Sequence, residues 1–186
     1  MMQLAGQVSD YIKMYNEGMA AINQAALKQV INIVKYSSLN DLSVYVGGNG
    51  GSAAISNHLC CDFIKGTACK TISLSCNTPL ITAIGNDYGY EKTMSYQLEN
   101  YIRKDEDCTV ILVSSSGNSP NIIHAANLVN KLGVKLIGLT GFDGGKLKDL
   151  CNVSLHIPIY NYGVVEDCHQ SIMHIISQII NKERDQ

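Results

Sequence analysis

The sequence predicts an α/β fold: a three-layer α/β/α sandwich around a five-stranded parallel sheet, preceded by an N-terminal helical arm. Three observations carry this expectation. Short apolar runs of strand length alternate along the chain with stretches of helical period. Several of these runs are continuously apolar, CTVILV at 108–113 and VKLIGL at 134–139 among them, which is the pattern of strands covered on both faces by helices. Two strands end in glycine- or serine-rich segments that open helices, and parallel sheets bind ligands beyond the carboxyl ends of their strands.

The first forty residues read as helix. Met19, Ile22, Ala26, Val30, Ile33 and Val34 recur at helical spacing, as do Val8, Tyr11, Ile12 and Tyr15, with a break or kink near Gly18. An arm of this kind either serves oligomer contacts or packs on its own domain. Strands follow at residues 42–46, 71–74, 108–113, 134–139 and 153–157, and helices at 53–64, 88–101, 120–132 and 164–182. Arg103, Lys104, Asp105 and Glu106 read as a solvated turn.

No linker or repeat divides the 186 residues, so one domain over 1–186 is expected, long enough for a full hydrophobic core. With 46% hydrophobic and 16% charged residues the chain belongs with globular proteins rather than disordered ones. A net charge of -2 without a cluster of lysines and arginines argues against a nucleic-acid partner. No apolar run reaches the length of about 18 residues that a membrane span needs, and the N-terminus has no signal-peptide pattern. The seven cysteines are odd in number and irregularly spaced, which predicts mostly small buried hydrophobes in a reducing cytoplasm rather than a disulfide framework.

The chemistry is written in two loops. Gly47, Gly48, Asn49, Gly50, Gly51 and Ser52 leave the first strand and open a helix, so backbone can approach a ligand closely and free N–H groups face an anion. This is neither a Walker A loop nor an in-register GxGxxG, and no acidic ribose ligand follows at the dinucleotide spacing. Ser114, Ser115, Ser116, Gly117, Asn118 and Ser119 repeat the arrangement at another strand, where hydroxyls and helix N–H groups suit a phosphate monoester. Each loop alone is also an ordinary strand-to-helix turn. Two at the same sheet edge point to a phosphorylated, polyhydroxylated small molecule. His58 and Asp62, four apart on one helix face, are either half of a metal site or a simple hydrogen-bonded pair.

These segments resemble the SIS (sugar isomerase) family, and within it the phosphoheptose isomerases. The resemblance is carried by GNGGSAAISNHL at 48–59, AIGNDYGYE at 83–91, the Ser-rich loop, helix, strand and Thr-Gly turn over 114–147, and VVEDCHQSIMHII at 164–176. It covers essentially the whole chain. It implies a flavodoxin-like sheet and a cytoplasmic aldose–ketose isomerase, taking sedoheptulose 7-phosphate to D-glycero-D-manno-heptose 7-phosphate for lipopolysaccharide or capsule. It also implies that Ser114, Ser115, Ser116 and Ser119 hold the phosphate, and that Asn49, Gly50, Gly51 and Ser52 line the sugar with Asn86 and Asp87 nearby. His58, Asp62, Glu166 and His174 match the positions that bind zinc, with Asp62 as base and His174 as acid. A homotetramer with sites near subunit interfaces is implied as well, the helices at 1–40 serving the contacts. The alternatives are an isomerase of another phosphosugar or a non-catalytic sugar-phosphate-binding SIS protein.

Two positions depart from the family pattern. Asp62 stands where glutamate is usual, a side chain shorter by about 1.5 Å, and Glu166 stands where glutamine is usual. Glu166 and His174 are also about 80° apart around an ideal helix, so Asp167, better aligned with His174, is a rival ligand. His169 reads as a residue behind the site or on the surface, His124 as structural, and His156 as a satisfied core histidine.

Overall fold

A computed structural model describes residues 2–103 and 106–184, so Lys104 and Asp105 of the charged stretch lie outside the described residues. The elements run α1 (Met2–Ala20), α2 (Gln24–Leu39), β1 (Ser43–Gly48), α3 (Gly51–Asp62), β2 (Lys70–Ser73), α4 (Thr78–Tyr88), α5 (Ser95–Tyr101), β3 (Cys108–Ser114), α6 (Pro120–Leu132), β4 (Lys135–Gly141), α7 (Gly145–Leu150), β5 (Val153–Ile157) and α8 (Tyr162–Arg184). All neighbouring strands are parallel, in the order β2-β1-β3-β4-β5. The order reverses between β1 and β3, which makes the crevice beyond their carboxyl ends the switch point where such sheets hold ligands.

The layers follow from the two-residue period of a strand. Val44, Val46, Ile111, Val113, Ile137 and Leu139 face α2, α3 and α8. Tyr45, Val110, Leu112 and Leu136 face the opposite way, onto Leu98 of α5, Ile122 and Val129 of α6, and Leu147 of α7. The central strand β3 is buried throughout, and β4 from its second residue on. The edge strands β2 and β5 alternate, because helices cover them less completely.

Three sequence expectations are corrected. The helix expected over 88–101 begins later, and a separate helix that was not expected precedes it: α4 starts at Thr78, where the Asn77 side chain accepts from the Leu80 N–H at 3.2 Å and Pro79 occupies the first turn. Gly89, at φ 93°, ends it, a 3₁₀ turn follows at Tyr90–Lys92, and α5 begins only at Ser95. The short α7 was not foreseen, since six residues cannot display a helical period. The break in the arm falls at 21–23 rather than at Gly18, with Asn23 capping α2 by accepting from the Ala26 N–H at 3.0 Å. On α1, Tyr15 bonds Ser171 at 2.8 Å and Tyr11 donates to Asp167 at 2.6 Å, while Leu4, Val8 and Ile12 face solvent. The bond to Asp167 pushes the Tyr11 phenol up to about 12.

All seven cysteines are free; four are buried, and Cys61 and Cys76 are exposed. Among the described residues no helix is long and apolar enough to cross a membrane.

His169 is not on the surface; it is buried behind the site, against Thr140, whose β4 position pairs with Ser114. It lies on the face of α8 that carries Val165, Ile172 and Ile176, fully buried, with Nε2 3.1 Å from the Thr140 carbonyl. Burial lowers its pKa from 6.5 to about 4. Between those values the unfolded chain binds the proton and the folded chain does not, so stability rises with pH across this window and falls as the medium is acidified. At about 1.4 kcal/mol per pH unit, roughly 3 kcal/mol is lost by pH 4. Urea unfolding from pH 7 down to 4.5 should show this slope, and His169→Gln should flatten it; equal slopes would contradict the assignment. His156 is half-buried with Nδ1 3.0 Å from the Thr140 hydroxyl, its pKa lowered mainly by burial. His124 is half-buried on α6.

Candidate functional site

Both predicted loops reach the switch point. The N-terminus of α3 has no side-chain cap, and Ser119, which precedes Pro120 at the start of α6, makes no capping hydrogen bond with its hydroxyl. First-turn N–H groups of both helices are therefore left for a ligand. Ser114, Ser115, Ser116 and Ser119 line one side of a cavity there, and Asn49 and Ser52 the other; Tyr162 and Glu166 close it from α8. The serine loop is held by main-chain bonds from Gly141 N–H to the Ser115 carbonyl and from Leu147 N–H to the Gly117 carbonyl, each 2.9 Å.

The Ser115 hydroxyl is buried and has no hydrogen-bond partner among the described residues. An unpaired buried hydroxyl costs about 1–3 kcal/mol unless a ligand completes it. Ser115→Ala should therefore leave the melting temperature unchanged or raised while weakening inorganic phosphate binding at least about tenfold, because a bond to a charged acceptor is lost. Calorimetric titration with phosphate checks this; unchanged affinity would remove Ser115 from the site.

Beyond the first two turns of α3, the chain gathers a second group. The Asp62 carboxylate stands between two imidazoles, Oδ1 3.5 Å from His58 Nε2 and Oδ2 3.5 Å from His174 Nε2. The two rings meet edge to face at 5.1 Å. Contacts of 3.5 Å are long for hydrogen bonds, but a tetrahedral zinc site with bonds of about 2.1 Å has ligand edges of about 3.4 Å. One donor atom from each of the three residues lies within 4.8 Å of the others. The donor set fits a divalent ion with three protein ligands and a position left open.

Glu166 does not join this group. It belongs to a regular stretch of α8 rather than to a frayed start, and the rotation separating it from His174 directs it onto the start of α3, where a Cβ on Gly51 would stand 2.3 Å from its carboxylate. Its pKa is raised, first by burial and then by the Asp167 charge. Asp167, the rival, is engaged by Tyr11 instead. Asn86 and Asp87 end α4 exposed, the Asn86 amide donating to Asp87 at 2.8 Å, outside the lining of the serine cavity. Gly50 is exposed at φ 54°. Two residues were missed. Gln170 bonds His174 Nε2 at 2.9 Å, and its position four residues earlier on α8 was the available signal. Tyr162 lines the cavity only because α8 begins there.

The family model described as SIS domain matches residues 9–141. A phosphoheptose isomerase of Aliarcobacter butzleri is 36% identical over 165 residues, 86% of each chain. The solved phosphoheptose isomerase from Francisella tularensis superposes with a TM-score of 0.87 at 27% identity, over 97% of both chains. The one from Neisseria gonorrhoeae has the same TM-score and identity over 97% of this chain and 98% of its own. With the serine cavity at the switch point and the His58, Asp62 and His174 group on the adjoining helices, these matches establish that the chain belongs to the SIS family and, within it, to the phosphoheptose isomerases.

Proposed function

We propose that this chain isomerises sedoheptulose 7-phosphate to D-glycero-D-manno-heptose 7-phosphate, in heptose biosynthesis for surface polysaccharide. The observation that carries the reading is the pairing, along α3 and α8, of a hydroxyl-lined anion cavity with a carboxylate flanked by two imidazoles. His58 lies seven residues beyond Gly51, about 10 Å along the helix. A phosphate held at Ser114, Ser115, Ser116 and Ser119 therefore leaves the far end of a long sugar chain to reach the ionisable group. The printed names of the relatives support the same substrate class.

Ketose–aldose exchange moves a proton between neighbouring carbons through an enediol. Asn49, Gly51 and Ser52 orient the sugar hydroxyls beside the phosphate cavity. Asp62 takes the proton from carbon and returns it to the adjacent carbon, and His174 exchanges the proton on oxygen. Gln170 Nε2 lies 2.9 Å from His174 Nε2, the nitrogen that also faces Asp62, so a metal held through that nitrogen would replace the Gln170 contact. His58, Asp62 and His174 would hold a zinc ion, which when bound supports negative charge on the sugar oxygen. Glu166, on the cavity wall, serves as a sugar-hydroxyl acceptor in this reading. The exposed Leu4, Val8 and Ile12 of α1, and the exposed Asn86 and Asp87, support a homotetramer in which subunits meet near the sites; light scattering at four times the chain mass checks it. The function is tested by NMR of purified protein incubated with sedoheptulose 7-phosphate, with and without zinc. Aldose formation supports it. Its absence in folded, zinc-loaded protein removes the heptose substrate.

A further inference from the structure

Asn49 stands between the serine cavity and a second small cavity that Ser75, Tyr90 and Thr93 help to line. Its side-chain amide is held by two residues, Asn121 and Tyr90, that lie in segments carrying the family resemblance but to which no site role attaches. Asn49 Nδ2 donates to Asn121 Oδ1 at 2.9 Å, and Asn121 Nδ2 donates back to Asn49 Oδ1 at 2.8 Å. The Tyr90 hydroxyl donates to the same Asn49 oxygen at 2.9 Å. Asn121 lies in the first turn of α6, two residues past Ser119, and is 2% exposed.

The sense of this amide pair is fixed from outside. The Thr93 hydroxyl gives its proton to the Tyr90 carbonyl at 2.8 Å, so it offers only lone pairs to Asn121. The Asn121 atom facing it, at 3.5 Å, is therefore the NH₂ group. That orients Asn121, and the reciprocal pair then orients Asn49. A carbonyl oxygen has two lone pairs, and on Asn49 both are taken, by Asn121 and by Tyr90. Of the two N–H bonds on Asn49 Nδ2, one goes to Asn121. A single N–H is left.

We infer that Asn121, assisted by Tyr90, is a positioning residue that makes Asn49 a one-donor reader of the sugar. Asn49 presents one N–H and no acceptor, so it selects a sugar oxygen with a lone pair available at that point and discriminates against a substituent that can only donate there. This rests on the reading of Asn49 as a sugar ligand. Asn121→Asp keeps the shape, but it cannot donate to Asn49 Oδ1 and sets an oxygen against it. Tyr90→Phe releases one lone pair of Asn49 by deleting an exposed hydroxyl, with little risk to folding.

The test is a double-mutant cycle on kcat/KM with sedoheptulose 7-phosphate, paired with calorimetric affinity for the same sugar. Asn121→Asp should lower kcat/KM by about 10- to 100-fold through misplacement of Asn49, and Tyr90→Phe by about fivefold, one hydrogen bond's worth. Both effects should vanish, to within about twofold, when Asn49 is already alanine, because coupled groups are not additive. Persistence of either effect in the Asn49→Ala background means a merely structural role and overturns the inference, as do single variants that match wild type. If Asn121→Asp does not fold, the Tyr90→Phe arm decides alone. A wild-type protein that binds the sugar without turning it over removes the isomerase reading only, and the cycle is then read in affinity. A wild type that neither binds nor turns it over removes both.

Discussion

Asp62→Asn should reduce turnover of sedoheptulose 7-phosphate by about 10² to 10⁴-fold, the usual contribution of a positioned general base. Among the described residues Asp62 is the one carboxylate between His58 and His174, with each of its oxygens 3.5 Å from one ring nitrogen. Asparagine keeps the volume of this half-buried side chain, so the fold should survive, but an amide cannot accept a proton from carbon. The Ser177 hydroxyl, which donates to the Asp62 main-chain carbonyl at 3.3 Å, is untouched by the substitution. Metal content, measured by mass spectrometry on the same preparation, separates the two roles of the carboxylate. Turnover lost with zinc retained assigns the base; turnover and zinc lost together assign a ligand. Asp62→Glu, which restores the length usual in phosphoheptose isomerases, should keep turnover. An Asp62→Asn protein within threefold of wild type would remove Asp62 from the mechanism.

The fold was legible in the sequence where burial is two-sided. CTVILV and VKLIGL are continuously apolar because β3 and β4 are covered by helices on both faces, and the two loops could be read because they end β1 and β3. Local breakers were legible too but were underweighted. Asn77, Pro79 and Gly89 mark the limits of α4, a helix absent from the expected elements, and the helix expected over 88–101 starts seven residues later than its predicted bound. The site was half legible. His58 and Asp62 share a helix face through a four-residue spacing, whereas His174 reaches them only through the packing of α8 on α3, which no local pattern encodes. The family resemblance supplied that residue. The same resemblance misplaced Glu166, because a position eight residues from His174 is rotated away from it and toward Gly51. Asn121 and Tyr90 were invisible for a related reason. Their partner Asn49 is 72 and 41 residues away in sequence, and a hydrogen-bonded amide pair has no periodicity.

Gly117→Ala should be among the most destabilising single-methyl additions to this chain, and it should disable phosphate binding as well. Gly117 sits at φ 62° in the middle of the serine loop, and a Cβ there would stand 2.0 Å from the Gly144 carbonyl oxygen and 3.2 Å from the Gly145 Cα. These are main-chain atoms and cannot rotate out of the way. The left-handed conformation alone costs a non-glycine residue about 1–2 kcal/mol. Relieving the clash must also part the serine loop from the α7 start, to which the Leu147 N–H bond at 2.9 Å ties it. The sum is about 3 kcal/mol or more, a drop of roughly 6–12 °C in melting temperature for a chain of this size. Gly133 supplies the control. It ends α6 at φ 71° with nothing within 4 Å of its Cβ position, so Gly133→Ala carries the conformational term without the clash and should lower stability by only about 1 kcal/mol. Phosphate affinity should fall at least about tenfold in Gly117→Ala, because Ser115, Ser116 and Ser119 move with the loop, and stay at the wild-type value in Gly133→Ala. Thermal melts and phosphate titrations of the two variants check both halves. Equal melting temperatures would mean that the backbone of the serine loop yields freely to the added methyl, and the rigid anion cradle on which the proposed function stands would have to be given up.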